Sequence, residues 1–211
     1  MSLQKSGFYY ANKFMRLYLD GLHDLMGPEA WVDLLKAAGI PQFIKHPVPD
    51  NLEKSIDFAY FTAIQTAFEG LPDGEALARQ SGRRVFVRGF STFAPQMNLT
   101  HLAEAPLPLA DKLKVGLPAM AQLMNQFSDQ ISQAYPWDDS AYIFTMERCP
   151  MCWKRQSQKP VCFAGQGLLQ EALHWASGGA EFEVEMRACI AQGDEMGQYR
   201  LHTQPLGLPK E

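Results

Sequence analysis

The chain has 211 residues, 46% of them hydrophobic, and its 19 basic and 23 acidic side chains give a formal net charge of -4. That apolar content can build a real core, while a mixed charge pattern with no Lys/Arg run longer than two speaks against nucleic acid or an anionic membrane as principal partner. No apolar run approaches the ~20 residues that cross a bilayer, and "MSLQKSGFYYANKF" lacks the basic-then-apolar order of a secretory signal. A cytoplasmic chain is expected, in which clustered cysteines hold metal or do redox chemistry more often than they form disulfides.

Over 6–26, Phe8, Tyr9, Phe14, Leu17, Leu22 and Leu25 recur at helical intervals, and Gly27-Pro28 closes the segment. "PEAWVDLLKAAG" predicts a second helix, with Pro28 in its first turn and Gly39 past its end. "IPQFIKHPVPDN" reads as a loop whose Asp50 or Asn51 caps a third helix, "SIDFAYFTAIQTAFEG"; Glu53 completes a capping box if Asp50 is the cap. Ile56, Phe58, Phe61, Ile64 and Phe68 surround that helix, so it should be buried on most sides. "LPDGEALARQSGRRVFVRGFSTFAP" predicts one or two helices, the boundary blurred by Gly82 and Gly89, and "HLAEAPLPLADKL" a connection. A further helix is predicted over 109–131 with Leu113, Leu117, Met120, Leu123, Met124 and Phe127 as its apolar stripe, kinked or split at Pro118.

After Ser132 the pattern changes. "SAYIFTMER" predicts a buried strand, "AGQGLLQEALHWASGG" a helix ended by Gly178-Gly179, and "EFEVEMRAC" a strand with Phe182, Val184, Met186 and Ala188 inward. "QYRLHT" predicts the last strand, paired with the one before through a turn at Gly193-Asp194. The expectation is one α+β domain over 1–211, its helical N-terminal part packed on a small antiparallel sheet.

"CPMCWKRQSQKPVC", residues 149–162, holds three of the four cysteines, and Cys189 is the fourth. A C-P-x-C pair at the start of a helix is a dithiol redox arrangement, but Pro160 cuts off any helix after about two turns. Metal binding would use Cys149, Cys152, Cys162 and Cys189 together on one tetrahedral ion. The plain alternative is small buried residues, since free cysteine is among the most buried types. The residues alone leave these last two readings open.

Residues 130–203, and above all "CPMCW…KPVCFAGQGLLQEALHWASGGAEFEVEMRACIAQGD", resemble the 4-vinyl-reductase domain family; helices 6–131 are compatible with it. Cys162, the helix from Gly165 to Trp175, the acidic strand ending in Cys189, and Gly193-Asp194 carry the resemblance. It implies a fold similar to the ligand-binding domains of nitric-oxide-signalling and Golgi-transport proteins, a homodimer, a small hydrophobic or aromatic ligand in an internal pocket, and a structural zinc. The family's sensor modules hold zinc through residues matching Cys162 and Cys189, a Glu three residues before the latter and a Cys eight residues after it. Met186 and Gly197 stand at those two positions here, so Cys149 and Cys152 are the candidates to complete the shell.

For the pocket, Trp137 roughly matches an aromatic of the family's sensor pockets, although a core or turn-anchoring Trp is the plainer reading. His101 is a candidate donor to a phenol or carbonyl and Phe93 a candidate wall; a lone histidine is more often on the surface or satisfied in the core. The Met-rich "PAMAQLMNQF" is either core filler or an adaptable wall. The leading expectation is therefore a ligand-binding protein with a structural zinc, without a membrane span. A reductase or accessory protein acting on a tetrapyrrole vinyl group is the alternative, although there is no G-x-G-x-x-G fingerprint and no recognisable acid–base pair. A dimeric scaffold whose pocket is filled by its own side chains is the third reading.

Overall fold

A computed structural model describes residues 3–207. The first regular element is a short strand, β1 (Tyr9–Ala11), antiparallel to β2 (Lys54–Asp57), with Tyr9 opposite Asp57 and Tyr10 opposite Ile56. This pairing delays the first helix, so α1 runs from Asn12 to Met26 rather than from residue 6. Next come α2 (Pro28–Ala37), with Pro28 in its first turn, and α3 (Gln42–Lys45), a single turn inside the expected loop.

The third long helix, α4 (Phe58–Phe68), starts later than its sequence suggests, because residues 54–57 are spent on β2. Its cap is Asp57, whose Oδ1 accepts the Ala59 N–H at 2.9 Å, while Asp50 pairs with Lys13 at 2.8 Å. A single helix, α5 (Gly74–Phe93), passes through both Gly82 and Gly89. The next, α6 (Leu109–Phe127), continues through exposed Pro118 without dividing.

Four strands follow: β3 (Ile131–Asp138), β4 (Ala141–Glu147), β5 (Phe182–Ala188) and β6 (Gly197–Pro205), with α7 (Phe163–Ser177) between β4 and β5. All neighbours are antiparallel in the order β3-β4-β6-β5. Strand β3 escapes sequence reading because it is an edge, exposed from Tyr135 onward and interrupted by Pro136, so it lacks an inside–outside alternation. The segment after Cys149-Pro150 turns without forming a helix until Phe163, so the dithiol arrangement is not built.

Two apolar cores result. In one, Phe144, Met146, Phe182, Val184, Tyr199 and Leu201 of the sheet pack with Leu113 and Leu117 of α6 and Leu169 and Leu173 of α7. In the other, Met15, Tyr18 and Leu22 of α1 meet Leu34 and Leu35 of α2 and Phe58, Phe61 and Ile64 of α4. Helix α5 packs on both α7 and α1 and so joins the cores. Its approach to α7 needs glycine on each side: a Cβ on Gly82 would lie 1.8 Å from the Ala164 carbonyl oxygen, and one on Gly167 1.8 Å from that of Arg79. Arg83 then ties the pair, bonding Glu171 of α7 at 3.0 Å and also Glu181. No helix among the described residues is long and apolar enough to cross a membrane.

Candidate functional site: an apolar cavity beside four thiols

Where the two cores meet, the side chains leave a cavity of about 160 Å³. Phe14 and Tyr18 of α1, Phe86, Phe90 and Phe93 of α5, Leu113 and Met120 of α6, Phe144 and Met146 of β4, and Ala172 and Trp175 of α7 form its walls. The aromatic rings brace one another: Phe14 stacks on Phe93 with centroids 4.9 Å apart and planes at 15°, and Phe90 meets Trp175 at 4.0 Å. Nine aromatic residues and five methionines in all line the space, a surface that combines rigid rings with adaptable thioethers. Gly89 lines it too, and a Cβ there would meet no atom within 4 Å.

Polar atoms on the wall are few and mostly engaged. The Tyr10 hydroxyl donates to Gln130 Oε1 at 2.9 Å, and the Tyr18 hydroxyl accepts from Gln65 Nε2 at 2.6 Å. Burial pushes both hydroxyls well above the usual tyrosine range, so they stay neutral. Lys112 is the one charged residue lining the cavity among the described residues.

Of the ligand-binding candidates, Phe93 is 2% exposed and lies on the cavity wall. Trp137 sits near the end of β3, 60% exposed, and the His101 side chain is 90% exposed beside Glu104; neither lines the cavity. In the sequence, an aromatic on an edge strand and a histidine in a polar connection carry no sign of which way they face. Residues missed include Phe90, Lys112 and Trp175. Available signals were Gly89, a glycine inside a helical pattern, which often marks a packing or functional need, and the Met-rich segment, whose Met120 and Met124 line the cavity.

Beside the cavity lie the four cysteines, all buried and none in a disulfide. Cys149 and Cys152 belong to the turn after β4, Cys162 caps α7, and Cys189 follows β5, where its N–H donates to Asp194 Oδ2 at 2.7 Å. The Sγ atoms of Cys149 and Cys162 are 3.5 Å apart, and those of Cys152 and Cys189 3.7 Å. Cys149, Cys152 and Cys162 lie within 4.8 Å of one another, so Cys189 joins through Cys152. Hydrogen bonds from Cys149 and Cys152 hold the Cys162 thiol well below its usual range, and one from Cys152 lowers Cys189 to about 6. Cys152 is pushed up by its bonds to the Cys149, Cys162 and Cys189 sulfurs. Gly165 makes room for this packing: a Cβ there would stand 2.4 Å from the Tyr199 hydroxyl and 3.1 Å from Cys162 Sγ. Cys149 also lines the cavity.

No family model and no curated protein matches the sequence. Solved structures similar in fold are H-NOX domains. An oxygen-binding H-NOX domain related to soluble guanylate cyclases is 16% identical, covering 95% of this chain and 99% of that one, with a TM-score of 0.56. An H-NOX protein from S. oneidensis in the Fe(II) ligation state is 15% identical over 95% of this chain and 100% of that one, TM-score 0.56. A third, described as showing heme redox potential modulated through protein-induced porphyrin distortion, is 17% identical over 95% and 99%, TM-score 0.56.

These findings overturn the resemblance to the 4-vinyl-reductase family, which no match supports and which the full-length likeness to H-NOX domains replaces. Zinc, expected through that resemblance, falls with it as the cofactor, since the neighbouring structures are described by their heme. The expected architecture stands: an α+β fold like the ligand-binding domains of nitric-oxide signalling, shared with H-NOX structures from end to end.

Proposed function

We propose that this chain binds a small apolar molecule in the cavity between its two cores. The observation that carries the reading is a space of about 160 Å³ walled by aromatic and methionine side chains. A dry cavity of about 150 Å³ lined by apolar side chains takes benzene or xenon, so the size matches one aromatic ring, a short hydrocarbon or a gas. An open cavity also counts against a scaffold that fills its pocket with its own side chains.

Heme, which the neighbouring structures are described as holding, does not fit this wall. Pockets for drug-sized ligands run from ~300 Å³ upward, about twice what is present. Heme iron also needs an axial ligand such as histidine, thiolate, methionine or tyrosine. No histidine lines the cavity among the described residues, so its methionines lack the histidine that completes a Met/His pair; Tyr10 is bonded to Gln130, Tyr18 to Gln65, and Cys149 faces Cys162. Two propionates would find a single cation, Lys112.

The test is a toluene titration of the intact chain, followed by thermal denaturation and ligand-observed NMR. Toluene should raise the melting temperature of the wild type, whereas Ala172→Leu, which puts three more carbons into the wall, should remove the response while the fold is kept. A wild type indifferent to saturating toluene would sink the reading.

A second reading concerns the thiols. Four thiolates on one tetrahedral ion with bonds of about 2.3 Å stand about 3.8 Å apart, close to the 3.5 and 3.7 Å found here. We propose that Cys149, Cys152, Cys162 and Cys189 form a closed site for a thiophilic metal ion that braces the cavity. Cobalt(II) added to reduced protein should give thiolate-to-metal charge-transfer absorption at one equivalent per chain, abolished by Cys149→Ser with Cys152→Ser. Absence of that band in folded, fully reduced protein would reject the site.

A further inference from the structure

Lys112 is 8% exposed, on the buried side of α6, and lines the cavity. Its ammonium carries three donors, and its one protein partner among the described residues is the Ala103 carbonyl oxygen in the connection before α6. No carboxylate lies within ion-pair distance of it among the described residues. Nearby acids are engaged elsewhere: Asp111 holds Lys114 at 3.1 Å, and Glu104 stands beside His101 at 3.8 Å with its side chain 85% exposed. Lysine is almost never this buried without a partner of opposite charge, and the rest of the wall offers aromatic rings, aliphatic carbons and thioethers.

We propose that the molecule held in the cavity is an amphipathic acid: its hydrocarbon part lies among Phe90, Phe93, Met120 and Trp175, and its carboxylate meets the Lys112 ammonium. The assignment rests on the cavity being a binding site and adds the class of ligand. It follows from charge balance. A buried lysine without a carboxylate partner, lining an apolar space, gains most from an anion that brings its own hydrocarbon, because the acid supplies the missing counter-charge and the ring or chain fills the void. A neutral hydrocarbon would leave two donors without partners. At about 160 Å³ the space admits a single-ring or short-chain monocarboxylate rather than a long fatty acid. The competing account is that Lys112 serves structure alone, pinning the 98–108 connection through Ala103, with its aliphatic stem against the apolar wall.

Benzoate, benzamide and toluene separate these accounts, being similar in size and different in charge. Each is titrated into the full chain, wild type and Lys112→Met, at neutral pH by calorimetry. In the wild type benzoate should bind about tenfold more tightly than benzamide, the difference expected of one charge-assisted hydrogen bond. In Lys112→Met benzoate should lose about tenfold while toluene changes little, and Lys112→Arg should restore part of the loss. If the wild type binds benzamide as well as benzoate, or binds toluene alone, the acid assignment fails and the apolar binding site stands. If none of the three binds, both fail. The benzoate–benzamide comparison needs no variant, so it decides the matter even if Lys112→Met does not fold.

Discussion

Asp57 shows how one side chain sets the start of two elements. It is 4% exposed, and its carboxylate accepts N–H groups from Ser6 at 2.9 Å, Gly7 at 3.1 Å and Ala59 at 2.9 Å. Burial alone would raise its pKa, but the backbone donors of Ala59, Ser6 and Gly7 outweigh burial and hold the carboxyl below its usual value. Such a group contributes stability that is fully present above its unfolded pKa, near 3.9, and is lost as pH falls through the lower folded value. Asp57→Ala should therefore destabilise by about 1–3 kcal/mol at neutral pH, leaving donors without acceptors. Below about pH 4, its melting temperature should fall less steeply with pH than that of the wild type. Thermal melts from pH 6 to pH 2.5 check both statements; equal slopes would show that the carboxyl has the same pKa in the folded and unfolded states. The sequence offers Asp50 or Asn51 as the cap, with Glu53 completing a capping box in the first case, and the extended pairing of 54–57 with β1 cannot be seen from local spacing.

Among elements, the contact of α5 with α7 sets the width of the cavity, since both helices line it. Gly82 and Gly167 let each backbone touch the other, so Gly82→Ala must part the helices or break the Ala164 contact. The expected loss is about 1–3 kcal/mol or more, measured by denaturant unfolding; a loss below about 0.5 kcal/mol would mean that the helices are looser than described. By contrast, the amphipathic stretch 109–127 and the alternating strands near the C-terminus were legible, because their periods are long and regular. The glycine pair was not, because a glycine in a helical window looks the same whether it marks a boundary or a close approach.

For the molecule as a whole, the architecture could be read in outline: helices first, then a small antiparallel sheet with one long helix in it. The cavity could not, because its wall draws on α1, α5, α6, β4 and α7, and no local pattern states which distant faces fail to fill the space between them. That void is also why the toluene response has a definite size. A ligand at one hundred times its dissociation constant adds about 2.7 kcal/mol to the folded state if it binds only there, enough to move the melting temperature of a chain this long by several degrees.

Cys149 belongs at once to the cavity wall and to the thiol cluster. Any change at the sulfurs that moves this side chain alters the shape offered to a bound molecule, and free energy linkage is reciprocal. A cavity ligand that favours one arrangement of the Cys149 thiol must shift the metal-binding equilibrium of the cluster in the same proportion. Occupancy of the cavity can therefore be read from outside as a change in the affinity of the four sulfurs for cobalt(II).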